Sequence, residues 1–378
     1  MPERPLTVLV DAREAVKVAT GVGTLARGLA RELERSSDAR LRFVVLPRTY
    51  DDGPEPPRRK PKIERAWNLL KNVFWKQVSI PFAALLHRAD AIFVLDPIVP
   101  VWGPCPIDVY IHDLQSFDPR NPAMDPPWRV YITVMTKAAR RVCRHFFANS
   151  DATRRDIVRI LGVPPSSTHR VYPGLKPEFR PVTDPERLEE TRKRHGLSGP
   201  FILVVGTTDP KRNFPRILEA FLRLREDPDR REQLVCVGPK TDFFSGEVVE
   251  NLRRHGLGEE VRFIGYVPLD DLPALYSLAE VYLYPSLFEG FGFTPAEAMA
   301  CGCPVVTSNV SSLPEVVGEA GLKVNPESVE EIRAALADVL ASPGRRAELR
   351  DKGLARAKVF RWDLAAETVR KVYLGDAS

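Results

Sequence analysis

Glu289 and Glu297 stand with seven residues between them, and those residues include Gly290, Phe291, Gly292, Phe293, Thr294 and Pro295. Carboxylates so placed accept hydrogen bonds from hydroxyl groups. Glycines between them let the backbone approach a ligand closely. Thr294 is a good helix N-cap, Pro295 suits the first helical position, and Glu297 would complete a capping box. Gly302 suits the position just past the helix end. A helix N-terminus next to a glycine turn attracts a diphosphate through its N–H groups and dipole. Glu297 as a cap alone is the plainer alternative.

A second constellation, Gly206-Thr207-Thr208-Asp209-Pro210-Lys211-Arg212-Asn213, follows the β-rich run Phe201–Val205. Lys211 and Arg212 at such a turn suit a departing diphosphate, with Asn213 as cap of the next helix. Thr20-Gly21-Val22-Gly23-Thr24-Leu25-Ala26 fits the dinucleotide fingerprint G-x-G-x-x-A. The run Thr7–Val10 ends too far before Gly21 for that fingerprint, which follows its strand directly. His112 sits where the run Val109–Ile111 ends, a favoured functional place in an open α/β sheet.

The elements that must carry these residues alternate along the chain. The remaining expected strands are Phe43–Leu46, Ala91–Val94, Phe146–Asn149, Arg170–Tyr172, Leu234–Val237, Val261–Ile264, Val281–Tyr284, Val305–Thr307 and Leu322–Val324. Amphipathic stretches lie between them; over Thr24–Ser36 Leu25, Leu29 and Leu33 share one face. Such alternation implies parallel sheets covered by helices on both faces. Prolines 173, 177 and 181 with Gly174 mark a linker near 173–183, and a chain of 378 residues suits two domains. The expected fold class is α/β, with two Rossmann-like doubly wound domains facing a cleft. We place the first over 1–175 and the second over 183–357, with a C-terminal helix over 358–378 crossing back to the first.

The stretch around the two glutamates resembles the retaining GT-B glycosyltransferases known as family 4, whose hallmark is a glutamate pair at this spacing. Tyr-Pro-Ser at 284–286, Glu-Ala-Met-Ala-Cys-Gly at 297–302, Phe263-Ile-Gly-Tyr-Val, Leu313-Pro-Glu-Val-Val, Ile111-His112-Asp113 and Ser150…Arg154-Arg155-Asp156 also fit. The resemblance covers nearly the whole chain. It implies that Glu289 contacts the hydroxyls of the transferred sugar, with backbone N–H groups of Phe291, Gly292 and Phe293. It implies that Glu297 accepts from the ribose, and that Thr294 lies near the phosphates. It makes Lys211 and Arg212 phosphate cations, although the family usually shows Arg-Lys there. Thr207 falls among the donor-binding residues, where many members carry arginine. Gly21 and Gly23 would approach the donor phosphate, and His112 would hydrogen-bond the donor sugar. Trp362, in Phe360-Arg361-Trp362-Asp363, would pack near the crossover.

The expected activity is that of a metal-independent hexosyltransferase without cofactor. It would move a sugar, mannose first, from a nucleotide diphosphate to a hydroxyl of a glycan, a lipid-linked saccharide or a small molecule. An epimerase of similar fold and a non-catalytic nucleotide-sugar-binding protein are the alternatives. No acidic cluster is laid out for a metal; Asp51-Asp52 and Asp270-Asp271 read as surface or cap residues. A net charge of +5 does not point to nucleic acid. The five scattered cysteines suit a reducing cytoplasm, and the opening MPERPLTVLVDAR is not laid out as a signal peptide. Between Arg58 and Lys76, seven cations face only Glu64, with Trp67, Phe74 and Trp75 interleaved. The preferred reading packs these aromatics inward and leaves the cations in water. The other lays the segment on an anionic membrane, as a weak peripheral contact at its inner face.

Overall fold

A computed structural model describes residues 4–16, 21–47, 62–117, 126–206, 209–238 and 260–376. The chain forms two compact units, one of Met1–Gly174 with Phe360–Ser378 and one of Leu175–Val359. Each holds a six-stranded sheet whose pairs are all parallel.

The first sheet is built from β1 (Leu6–Asp11), β2 (Leu41–Leu46), β3 (Ala91–Val94), β4 (Ile107–Ile111), β5 (Cys143–Ala148) and β6 (Thr168–Arg170), in the order β2-β1-β3-β4-β5-β6. The second uses β7 (Phe201–Val205), β8 (Gln233–Val237), β9 (Val261–Gly265), β10 (Val281–Tyr284), β11 (Val305–Ser308) and β12 (Gly321–Val324), in the order β12-β11-β10-β7-β8-β9. The central strands β3, β4 and β10 are buried on both faces, as in a parallel sheet covered by helices on either side. In each sheet the chain fills one side of its first strand, then crosses to the other. The two reversal points lie between β1 and β3 and between β7 and β10. At such a point the loops beyond the strand ends diverge and leave a crevice for a ligand.

The C-terminal helix Trp362–Leu374 belongs to the first unit. Its Trp362 indole lies over two glycines. A Cβ on Gly28 would come within 2.3 Å of the ring, and one on Gly174 within 2.4 Å of the Trp362 backbone nitrogen. Only residues without a side chain allow this approach. At the far end, Tyr373 donates to Asp108 at 2.9 Å and packs its ring near Phe43, Phe93 and Phe147.

The segment 62–86 overturns the expected inward packing of the aromatics. It is one helical run: Lys62–Phe74, a π-turn over Trp75–Ser79, and Ile80–Leu86. Trp67 and Phe74 are 57% and 62% exposed, whereas Lys76 is completely buried. The reason is phase. Asn72, Lys76, Ile80 and Ala84 recur every four residues and face the sheet, and the aromatics lie on the other faces. Trp75 is half-buried and donates its indole N–H to Asp11 at 2.9 Å. Arg58, Arg59 and Lys60 lie outside the described residues, as do Asp51 and Asp52.

Lys76 Nζ sits between two carboxylates at the reversal point of the first sheet. It meets Asp11, the last residue of β1, at 2.6 Å, and also pairs with Asp96, just beyond β3. Burial alone would lower its pKa, but the two carboxylates hold it well above the usual lysine range. Burial pushes the Asp96 carboxyl up to about 6, against the pull of Lys76. Removing one member of a buried ionic group leaves the others uncompensated. We therefore expect Lys76→Met to lose about 3–5 kcal/mol of unfolding free energy in a denaturant titration of the first transition. A loss below about 1 kcal/mol would show that the buried carboxylates do not depend on Lys76.

Candidate functional site

In the second unit the groups that could do chemistry gather at the β7/β10 reversal point. After β7, Gly206 takes φ +84°. Asp209 opens a short 3-10 turn, Pro210–Arg212, by accepting from the Lys211 N–H at 3.1 Å. This turn carries Lys211 and Arg212 toward the end of β10. There the Arg212 guanidinium hydrogen-bonds Glu289 and lies 4.7 Å from the centre of the Tyr284 ring. Lys211 Nζ stands 3.6 Å from the other oxygen of Glu289.

Glu289 is 8% exposed, so its charge must be met by protein groups. Tyr284 donates to its Oε1 at 2.9 Å, and Ser286 Oγ stands 3.0 Å from the same atom. Its backbone N–H donates to Ser311 Oγ at 3.0 Å, and its carbonyl lies 2.9 Å from the Ser312 hydroxyl. Ser312 is also 2.8 Å from the Phe291 carbonyl, so adjacent serines brace the turn from beneath. One polar atom is left over. Arg212 Nε is buried without a hydrogen-bond partner among the described residues. An unpaired buried donor beside a carboxylate and a second cation is a place for an anionic ligand.

The glycine turn departs from the expected capping. The helix spans Phe293–Ala300, two residues earlier than Thr294 at its cap would require. Gly292 occupies the N-cap at φ +102°, and a Cβ there would stand 2.7 Å from Leu313. Only glycine takes that angle in that space, so the cap position falls on it and no side chain caps the helix. Thr294 is then in the first turn. Its Oγ1 is buried and makes no sound hydrogen bond among the described residues, although the Tyr282 hydroxyl is close. Glu297 is too far into the helix to reach back to the cap, so the capping box does not form. The carboxyl is half-buried instead, and burial pushes it up to about 7, opposed by the charge of Lys176. Phe291 and Phe293 flank Gly292 with their rings edge to face at 5.2 Å. Gly302, at φ +77°, follows the helix end.

Asn213 also departs from the expected role. It stands at the N-cap of Phe214–Leu224, but in the left-handed region at φ +63° and without a side-chain cap bond. Its amide donates to the carbonyls of Pro285 at 3.1 Å and Pro326 at 2.6 Å. It thereby ties the loop after β7 to those after β10 and β12. Thr207 and Thr208 lie outside the described residues.

In the first unit, His112 follows β4 and is buried. Its Nε2 stands 2.9 Å from the Leu95 carbonyl, which can only accept, so Nε2 carries the proton and Nδ1 is left as an acceptor. Burial lowers the imidazole pKa, partly offset by the Leu95 bond, and keeps the ring neutral. Asn149 donates to the His112 carbonyl at 2.8 Å. Gly21 and Gly23 are not in a loop: they occupy the first turn of the helix Gly21–Glu34. The apolar face of Leu25, Leu29 and Leu33 is buried and carries the helix back to them. Ser150 caps the helix Asp151–Asp156 by accepting from the Thr153 N–H at 3.0 Å.

Residues 188–356 match the family described as "Glycosyl transferases group 1", and residues 19–179 match "Glycosyltransferase Family 4". The chain is 36% identical over 216 residues to O-antigen chain mannosyltransferase B of Escherichia coli, covering 57% of this chain and 56% of that protein. It is 32% identical over 249 residues to the MMP alpha-(1->4)-mannosyltransferase of Mycolicibacterium hassiacum, covering 64% of this chain and 56% of that one. The chain thus spans about half the length, or less, of the curated relatives it matches. Its fold is similar to that of the sucrose-phosphate synthase of Thermosynechococcus elongatus, with a TM-score of 0.71 at 20% identity over 98% of both chains.

The Glu297 carboxyl yields a pH-dependent prediction. Its folded value, about 7, lies above the ordinary 4.5. The folded state therefore favours the protonated carboxyl. That contribution is complete below the unfolded value and is lost as pH rises through about 7. Glu297→Gln keeps the shape and removes the ionisation. Its melting temperature is expected to gain on the parent from pH 5 to pH 8, by about 2–4 °C for each kcal/mol recovered. A difference that is constant across that range would mean Glu297 ionises as freely folded as unfolded.

Proposed function

The chain belongs to the family 4 glycosyltransferases and has their GT-B fold, and we propose that it transfers a hexosyl residue, with retention of configuration, from a nucleotide diphosphate sugar to an acceptor hydroxyl. Mannose is the proposed sugar, supported by relatives named as mannosyltransferases. GDP-mannose is the first donor to test. A glycan, lipid-linked saccharide or small molecule supplies the acceptor. The unit Leu175–Val359 acts as the donor domain.

The observation that carries this reading is the meeting of Lys211, Arg212 and Glu289 at the reversal point of the second sheet, with Arg212 Nε lacking a hydrogen-bond partner among the described residues. Cations and a carboxylate side by side suit a sugar diphosphate, which presents anionic oxygens at one end and neutral hydroxyls at the other. Donor binding shares out the existing pair: the diphosphate takes the guanidinium and the Lys211 ammonium, and the sugar hydroxyls take Glu289. The two cations then face the phosphate oxygen on which charge develops as the glycosidic bond breaks. The acceptor hydroxyl arrives on the face the diphosphate leaves, and the leaving phosphate oxygen takes its proton. Catalysis rests on positioning and charge stabilisation, with the cations supplying the charge a metal ion would otherwise bring. The first-turn amides of Phe293 and Thr294, uncapped by any side chain, receive phosphate or sugar oxygens. The backbone amides of Phe291 and Gly292 join them at the sugar. His112, held neutral, accepts a sugar hydroxyl at Nδ1. Gly21 and Gly23 open a helix of the first unit whose first-turn amides suit a phosphate oxygen.

Thermal shift across a panel of nucleotide sugars tests the donor, because a ligand of the native state raises its stability. GDP-mannose should give the largest shift, and product analysis should find a mannosylated acceptor with retained configuration. A changed sugar still on its nucleotide would replace transfer with epimerisation. Glu289→Gln should lower kcat more than nucleotide affinity, since its contact strengthens as the sugar gains charge. Glu297→Gln should weaken donor and free nucleotide diphosphate alike, by about 1.5–3 kcal/mol or roughly ten- to a hundred-fold. Wild-type turnover in Glu289→Gln would overturn the donor site.

A further inference from the structure

The helical run 62–86 buries one face, with Asn72, Lys76, Ile80 and Ala84 in it, and is apolar on the face it shows. Trp67, Leu70, Phe74, Phe82, Leu85 and Leu86 are all more than half exposed. The first five lie at spacings of three, four, eight and three, which keeps them on one side of a helix; Val78, 46% exposed, fills the gap of eight. Soluble surfaces scatter such residues singly, and a contiguous stripe marks an interaction face.

A neighbouring loop extends the stripe. Pro81 has no N–H, so the Gln77 carbonyl four residues before it loses its helical donor. The Trp102 indole N–H takes that carbonyl at 3.0 Å. The Gln77 side chain holds the same loop twice more, donating to the Val99 carbonyl at 3.1 Å and accepting from the Val101 N–H at 2.9 Å. Val101 and Trp102 are themselves half-exposed, so two further apolar side chains are fixed beside the helix.

Charge identifies the occupant. No carboxylate occurs from Arg65 to Ala89, whereas Arg58, Arg59, Lys60, Lys62 and Arg65 precede the stripe and Arg88 follows it. Lys71 is exposed within it, its ammonium 5.6 Å from the Trp67 ring centre. A second copy docked on this face would set cation against cation however the helices ran. An anionic bilayer meets both features: apolar side chains enter the acyl boundary and the cations stay among the head groups. No helix among the described residues is long and apolar enough to cross a membrane. We propose that the face formed by the helical run 62–86 and the 99–102 loop docks the protein on the surface of an anionic lipid bilayer, parallel to its plane. The inference does not rest on the proposed reaction.

Vesicle flotation tests it, with phosphatidylcholine alone and with about 30% phosphatidylglycerol, at low salt and at about 0.5 M sodium chloride. The intact protein should float with the anionic vesicles and at least several-fold less with neutral ones, and salt should reduce the bound fraction. Phe74→Glu and Leu85→Glu should each reduce binding at least about tenfold while keeping the parent's melting temperature, since both side chains are already in water. Lys71→Glu should reduce it less, and only at low salt. No flotation with anionic vesicles at low salt would overturn the proposal, as would parental binding in both glutamate variants. A dimer in sedimentation velocity that Phe74→Glu dissolves, with no lipid binding, would assign the face to a second copy.

Discussion

The Arg212–Glu289 pair is the interaction on which the second unit's site depends. It spans the point where the strand order reverses, joining the turn after β7 to the turn after β10. Glu289 is almost fully buried, and a buried carboxylate without partners carries a heavy desolvation cost. Arg212, Lys211, Tyr284 and Ser286 surround it closely enough to hold the charge. Remote residues secure the geometry: Asn213 ties three loops together, and Ser311 and Ser312 brace the glycine turn. The ion pair holds together cations that suit a diphosphate and a carboxylate that suits hydroxyls.

The first sheet solves the same topological problem with other residues. Its reversal point, between β1 and β3, is bridged by Lys76 reaching Asp11 and Asp96. That lysine arrives on a helix widened by a π-turn and followed by Pro81. A π-turn adds a residue to one turn, which shifts the phase of all that follows. One face of the run therefore fills a buried ionic site and its opposite face presents aromatic and aliphatic side chains outward. Stability and surface chemistry are thus coupled in a single element: a change in its register would disturb both.

Glu297 is held in the fold at a cost in stability. Its carboxyl is desolvated enough to be pushed up to about 7, opposed by the charge of Lys176. Such a group costs the resting protein free energy when ionised, and a ligand with hydroxyl donors would recover part of it.

The strands were legible in the sequence because their information is local. Each expected strand appears within a few residues of its place, since runs of Val, Ile and Leu bounded by turn residues need no distant partner to be read. Two parallel α/β sheets followed from the alternation, and the motif around Glu289 and Glu297 pointed to the family. Departures occurred where a residue's role is set by what packs against it. Gly292, not Thr294, caps its helix because Leu313 leaves room only for hydrogen there. Asn213 turns its amide to distant carbonyls, and Lys76, counted from sequence among solvated cations, is buried. Nothing local distinguishes Lys76 from Lys71; the carboxylates that claim it lie 65 residues before it and 20 after. Composition and periodicity determined which elements form, and the motif residues around Glu289 and Glu297 carried the family resemblance. Only tertiary structure decided which charges meet, because that depends on strand order, and strand order brings together residues that the sequence keeps far apart.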